Sequence, residues 1–201
     1  MSPVRALQTE NKTTGKRTTI VRVEWGDVKA IRQGKGYKVK LAENRLPKNV
    51  RKYLDQDRQA YRTAKNMSQQ TLLFGKAVPQ LPSAQIIEKK LLQAAIDSAS
   101  NIIEQHPYLN YKEFDIKILP KSWARRRPNG IISLDLRVAA LPKTHLKYVI
   151  AHELAHTIAQ NHGPLFRRIV SAICPNWQEL HNDLWVYWYY VRLNRVWQRL
   201  A

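Results

Sequence analysis

The chain has 201 residues, 44% of them hydrophobic, with 34 basic and 15 acidic side chains and a formal net charge of +19. That length supports a substantial core in one domain, or one domain with a small appendage, and the apolar share is that of an ordinary globular protein rather than a disordered one. A single cysteine, Cys174, excludes an internal disulfide and a cysteine-based zinc finger, and it fits a reducing compartment.

The opening residues, Met1-Ser2-Pro3-Val4-Arg5, lead into a polar segment rather than an apolar signal core, and no apolar run is long enough to cross a bilayer. A soluble, cytoplasmic protein with no membrane partner is expected. Both residues 1–70 and residues 71–201 carry an excess of basic side chains, so the charge does not belong to one tail. It predicts DNA or another polyanion as a partner, against the plainer alternative of a basic surface that aids solubility.

In chain order, residues 1–17 read as polar and loose. Thr18–Trp25, Val28–Arg32 and Tyr37–Leu41 read as strands separated by Gly26-Asp27 and Gln33-Gly34-Lys35-Gly36, a basic meander with Lys38 and Lys40 outermost. A charged helix is expected from Pro47 to about Ala64, then a connector over 66–82 with one apolar piece at Leu72-Leu73-Phe74 and at most one strand. Ser83 suits the N-cap of a long helix to about Gln105, with Ile87, Leu91, Ala94, Ala95, Ile102 and Ile103 inward. Strands are predicted at Phe114–Leu119 and Gly130–Val138, flanking a loop that holds Arg125, Arg126 and Arg127. A helix starts at Pro142, with Thr144 a candidate N-cap. Shorter and longer helices follow at Gly163–Ile173 and roughly 176–200. The expected domains are a basic N-terminal meander and helix over 1–80, which can pack onto the core, and a core over 81–201.

The strongest chemical signal is His152-Glu153-Leu154-Ala155-His156, an H-E-x-x-H motif. Residues four apart share a helix face, so His152 and His156 can point at one ion, while Glu153 reaches a water bound to it. Leu146, Val149, Ile150, Leu154 and Ile158 form an apolar stripe that would bury the rest of the helix. Asn161-His162-Gly163-Pro164 has the composition of a stop and turn. His162 is favoured as third ligand because a short loop can return it to the metal. The rivals Glu179 and Asp183, on a later helix, read more simply as a solvated face. His181, between them, reads as a helix-surface histidine.

The terminal helix is rich in aromatics, including Trp177, Trp185, Tyr187, Trp188, Tyr189, Tyr190 and Trp197, with Arg192, Arg195 and Arg199 among them. Such a set can stack on bases. Trp177, Leu180, Leu184, Trp188 and Val191 fall on one face, which favours core packing.

The second half resembles the YgjP-like metallopeptidase family, relatives of the SprT-like and WLM proteases. The resemblance lies in Gly130-Ile131-Ile132-Ser133-Leu134-Asp135-Leu136, Leu141-Pro142, Tyr148-Val149-Ile150-Ala151 running into the histidine motif, and Asn161-His162-Gly163-Pro164-Leu165-Phe166. The Asn-His-x-x-x-Phe signature implies His162 as third ligand on separate grounds. The clear match covers about residues 120–185. Where the family carries a Trp-Gly-Ser-Cys-like motif, this chain has Trp123-Ala124-Arg125-Arg126-Arg127, a cationic lead into the following strand that would favour acidic substrates or nucleic acid. The metzincins, with similar histidine spacing, do not fit: Ala159 stands where they carry glycine, and Met1 and Met67 both lie upstream of the motif.

The resulting expectation is an α+β protein. It has a zincin-like metallopeptidase core (long helix, small mixed sheet, zinc helix, C-terminal helices) and a basic N-terminal β-meander plus helix. One Zn²⁺ per chain would be held by His152, His156 and His162, with Glu153 as general base in hydrolysis of a protein or peptide substrate. Arg125, Arg126 and Arg127 are candidates for contact with substrate or nucleic acid. The SprT-like and WLM analogy extends the reading to nucleic-acid-associated substrates. The alternative is a nucleic-acid- or partner-binding protein whose zinc site is not proteolytic.

Overall fold

The computed structural model describes residues 5–10, 17–22, 29–33 and 48–200. The chain divides into two units, Ser2–Gln59 and Ala60–Ala201. The first contains an antiparallel sheet of β1 (Arg5–Glu10), β2 (Arg17–Arg22) and β3 (Lys29–Gln33), in that order. Its first strand lies inside the segment expected to be loose, paired with β2 from Arg5↔Arg22 to Glu10↔Arg17. The strand expected at Tyr37–Leu41, with Lys38 and Lys40, lies outside the described residues.

Helix α1 (Lys48–Met67) carries the boundary between the units. The segment after α1 is part of the second unit. There, β4 (Thr71–Leu73) and β5 (Lys76–Val78) form a hairpin where a connector with at most one strand was expected. Its two turn residues, Phe74 and Gly75, both have positive φ (49° and 74°), as a two-residue type I′ hairpin turn requires. The turn docks on the core: Phe74 N–H donates to Ala139 O at 2.6 Å and Gly75 N–H to Ala140 O at 3.3 Å. A Cβ on Gly75 would lie 2.8 Å from Pro142 Cγ, so both conformation and space call for glycine.

Helix α2 (Ala84–Gln105) buries Ile87, Leu91, Ala95, Ala99 and Ile102, one face at helical spacing. Each large aliphatic buried there contributes on the order of 1.5–3 kcal/mol. Ser83 is its N-cap residue, without a side-chain capping bond. Beside α2 lies a mixed sheet in the order β6 (Glu113–Lys117), β8 (Ile131–Asp135), β7 (Ala124–Arg126). β6 runs parallel and β7 antiparallel to β8. Two of the three arginines expected in a loop, Arg125 and Arg126, therefore lie in an edge strand. Backbone bonds Asp135 N–H to Trp123 O and Arg127 N–H to Ile131 O bracket the β7–β8 pairing. Arg126 thus falls on the alternate register, with its own N–H turned to the open edge.

The strand expected to reach Val138 stops at Asp135. Asp135 caps a 3-10 helix over Leu136–Ala140, accepting from Arg137 N–H. Its two oxygens also take Arg137 Nε–H and Nη2–H at 2.7 Å and Leu119 N–H at 2.6 Å, while Arg137 Nη2 donates to Leu119 O. This buried pair ties the end of β8 to the segment after β6.

Helix α3 (Lys143–Ala155) follows, with Pro142 rather than Thr144 as its N-cap residue. It packs against α2, α4 (Pro164–Ile173), α5 (Trp177–Leu193) and β7. From His145 to Ala155 only Lys147 is exposed. Ile158, expected on the buried stripe, lies past the helix end and is 46% exposed. The terminal helix is broken: Asn194 ends α5 and caps α6 (Arg195–Arg199) by accepting from Val196 N–H and Trp197 N–H. Leu180, Leu184, Trp188 and Val191 are buried, and the Trp197 indole donates to Leu72 O, so the aromatics serve the core. Among the described residues no helix is long and apolar enough to cross a membrane.

Removing Arg137 would leave the Asp135 carboxylate buried without its cation. Arg137→Ala is expected to lower stability by about 3–5 kcal/mol, read as a shift of the urea midpoint.

Candidate metal centre

Helix periodicity places His152 and His156 one turn apart, and both imidazoles come from the C-terminal end of α3. His156 is its C-cap residue with near-helical backbone angles (φ −68°, ψ −6°), so the turn of helix survives just long enough to aim it. The chain then reverses through Asn161-His162-Gly163 into α4. Asn161 Oδ1 accepts from Gly163 N–H at 3.1 Å, and a Cβ on Gly163 would meet that oxygen at 2.8 Å. This small turn returns His162 to the helix it left.

The three side chains converge. Nε2 of His152 lies 3.2 Å from Nε2 of His156 and 3.1 Å from Nε2 of His162. Among the described residues they form the one group of three or more potential ligands, with all three ligand atoms within 4.8 Å of one another. Glu179 and Asp183 are exposed and stand outside the cluster. Phe166, buried on α4, packs its ring 4.7 Å from the centroid of each of the three imidazoles. It makes an apolar platform that fixes all three rings at once.

The donor set fits a divalent metal. Tetrahedral coordination at zinc–nitrogen distances of about 2.0–2.1 Å sets ligand nitrogens roughly 3.3 Å apart. Tautomers agree with it: His156 Nδ1 lies 2.9 Å from Ala159 O, and a carbonyl only accepts, so Nδ1 holds the proton and Nε2 offers its lone pair. Three ring nitrogens gathered this way cannot satisfy one another, since each neutral imidazole brings a single N–H. A cation at their centre satisfies all three. Burial lowers the pKa of His152 and of His162, and the neighbouring imidazoles add to the effect, so both are held neutral and ready to donate.

Glu153 projects beside the cluster and is only 4% exposed. Its Oε2 accepts from Arg126 N–H at 2.9 Å, the open-edge amide of β7. Of the three sequence-predicted arginines, Arg125 is exposed, Arg126 brings its main chain to Glu153, and Arg127 pairs with Asp115 at 2.9 Å.

Three features were not anticipated. His181 is half-buried, not a surface residue, and its Nδ1 lies 2.6 Å from the hydroxyl of Tyr148. Its signal was its position, four residues after Trp177 and three before Leu184, on the edge of the apolar face of α5. Tyr148, one turn before His152, is 1% exposed and sets its ring against His152 (centroids 6.2 Å, 77°). Asp183, exposed as expected of a solvated face, also brings Oδ2 to 3.3 Å from Nε2 of the buried His145, joining the start of α3 to α5.

The crystal structure of the metallopeptidase zymogen of Pyrococcus abyssi abylysin is similar over 45% of this chain and 90% of that one, at 26% identity and a TM-score of 0.42. No curated protein matches the sequence. Residues 7–186 match the family described as YgjP-like, metallopeptidase domain. That span takes in the histidine cluster, Glu153 and the strands and helices that hold them, and the chain belongs to the YgjP-like family of metallopeptidases.

Proposed function

We propose that this protein is a zinc-dependent peptidase in which His152, His156 and His162 hold the metal and Glu153 is the general base. The observation that carries the reading is the buried Glu153 carboxylate, fixed by the Arg126 amide beside three converging imidazoles. A structural zinc site is commonly closed by four protein ligands and has no use for a carboxylate base, whereas a catalytic site keeps a position open. That weighs against a partner-binding protein with a non-proteolytic zinc.

The family's metal dependence sets the chemistry: bound zinc supplies a Lewis acid and makes water a better proton donor near neutral pH. The chain's residues do the rest. Burial keeps His152 and His162 neutral, so protons do not compete for their lone pairs at neutral pH. Glu153 takes the proton of the attacking water and passes it to the leaving amine, and the Arg126 N–H keeps one carboxylate oxygen aimed throughout. Phe166 excludes water from the far side of the imidazoles.

The strand edge beside Glu153 is basic. Arg125 is exposed on β7, the strand whose amide reaches Glu153. With the net charge of +19, this supports acidic polypeptides and nucleic-acid-associated proteins as the substrate class, with Arg125 and Arg126 the contacts and Arg127 largely engaged by Asp115.

Glu153→Gln is expected to keep one zinc per chain by metal analysis while peptide hydrolysis falls by at least about 100-fold. Hydrolysis at the wild-type rate would reject the general-base assignment. His162→Ala should lose stoichiometric zinc, and Asn161→Ala, which only frees the turn, should weaken zinc binding by about 10-fold in a chelator competition. Affinity for duplex DNA should fall by roughly 10³-fold or more between 50 and 200 mM salt if six or more phosphates are contacted. A flat salt response, or no binding, would remove the nucleic-acid branch and leave the peptidase reading intact.

A further inference from the structure

Acidic side chains are missing from two long stretches of the sequence, between Asp57 and Glu88 and after Asp183. The fold brings these stretches together at the end of α1. Tyr61 sets its ring edge-on against Tyr189 of α5 (centroids 5.5 Å, 84°). The Ser68 hydroxyl donates to Lys65 O at 2.7 Å, and Ser68 O accepts from Asn194 Nδ2 at 3.1 Å. Asn194 is the cap of α6, whose first residue is Arg195. Lys65, in the last turn of α1, is thus tied through Ser68 to the start of α6. Arg62 precedes Lys65 by three residues and Arg199 follows Arg195 by four, so each helix carries its two cations on one face. All four belong to the unit Ala60–Ala201.

Arg62, Lys65, Arg195 and Arg199 are all exposed, and among the described residues none of them pairs with an acidic side chain. Other cations of this unit are engaged. Lys117 and Arg127 share Asp115, Arg137 holds Asp135, and Arg192 lies over the Trp188 ring while donating to Trp188 O and Pro120 O. Like charges one turn apart on a helix repel, and two such pairs meeting at one place add to the cost. A bound polyanion relieves it. The length of α5 sets this patch on the order of 20 Å from the Tyr148–His181 contact near its other end. A polyanion held there leaves the metal cluster free.

We propose that Arg62, Lys65, Arg195 and Arg199 form a docking surface for the phosphate backbone of nucleic acid, at the far end of α5 from the metal-site side. The inference rests on the nucleic-acid branch of the function proposed above and is independent of the peptide chemistry. Phosphates suit the patch because its cations are exposed, unpaired and carried on two adjoining helices, and contacts of that kind need no base sequence. An anionic membrane suits it less. The large apolar side chains exposed on this patch are Tyr61 and Val196, too little to enter a bilayer. A protein bound to the same nucleic acid would then be presented to the metal cluster while the docking surface stays occupied.

The test is a salt titration of full-chain binding to a short DNA duplex of mixed sequence. Replacing Arg62, Lys65, Arg195 and Arg199 together by glutamine should weaken binding by about 100-fold and flatten the slope of log K against log salt by about 3 to 4, since each phosphate contact contributes about 0.9. The urea midpoint should hold or rise as the repulsion is removed. If the fourfold variant does not fold, the pairs Arg62→Gln with Lys65→Gln and Arg195→Gln with Arg199→Gln, made separately, should each flatten the slope by about 2. The control neutralises four exposed lysines elsewhere, Lys89, Lys90, Lys112 and Lys147, and should leave the slope nearly unchanged. An equal loss in the control overturns the proposal, because the charge then acts through the whole surface. Wild-type affinity in the patch variants also overturns it and leaves the nucleic-acid branch standing. A wild type that binds no DNA overturns both, and capture by phosphatidylserine vesicles through the same four residues would assign the patch to a membrane instead. None of these outcomes touches the peptidase reading, which the hydrolysis assay on Glu153→Gln decides.

Discussion

A metal site built on a buried helix has to place polar groups where water cannot reach them, and every such group then needs a partner. Helix α3 meets this constraint in stages. Its aliphatic residues, Leu146, Val149, Ile150 and Leu154, pack into the core and hold the helix still. Four of its polar residues each face a different neighbour, while Nδ1 of the buried His152 has no hydrogen-bond partner among the described residues. His145 meets Asp183, Tyr148 meets His181, Glu153 meets the Arg126 amide, and His156 meets the Ala159 carbonyl. The surrounding elements are arranged around those needs as much as around hydrophobic burial. α5 supplies two of the partners, β7 supplies one, and the turn into α4 supplies His162 and the platform of Phe166.

The same need explains the position of the hairpin. Its tip bonds to Ala139 and Ala140 and crowds against Pro142, at the entry to α3. Its base is held from the opposite side by the C-terminal helices, where the Tyr190 hydroxyl accepts from Leu72 N–H and donates to Gln70 O, and Asn194 donates to Ser68 O and Gln70 O. The start of α3 and the break between α5 and α6 are thus braced by one short piece of chain. This is why residues 60–80 belong with the core.

What the sequence revealed was set by how local each feature is. The histidine cluster was legible because helix geometry fixes His152 against His156 and a short turn fixes His162. The long helix α2 was legible from its spacing alone. The strand at β7 was not, because Ala124-Arg125-Arg126 has little intrinsic strand preference and exists as a strand only through its pairing with β8. The alternation of Ile132, Leu134 and Leu136 carried the strand prediction too far, since a capping aspartate at 135 ends the strand while the following apolar residues stay buried in a 3-10 helix. His181 was misjudged for a related reason. On its own helix it borders the apolar face, and only the packing of α5 on α3 brings Tyr148 to it. The Arg126–Glu153 bond was beyond reach on two counts, being long-range and made by main chain rather than side chain.

The Arg126–Glu153 bond also bears on how the chain can evolve. The group that steadies Glu153 is a peptide N–H, which any residue but proline supplies. The side chains along β7 therefore play no part in this bond to the carboxylate. After Trp123 the chain carries an arginine run, and the carboxylate is bonded to the backbone of that run. The bond to the carboxylate lies in the backbone of β7 and the positive charge in its side chains, so replacing Arg125 or Arg126 by any residue but proline changes the charge of this edge and leaves the Glu153 contact in place.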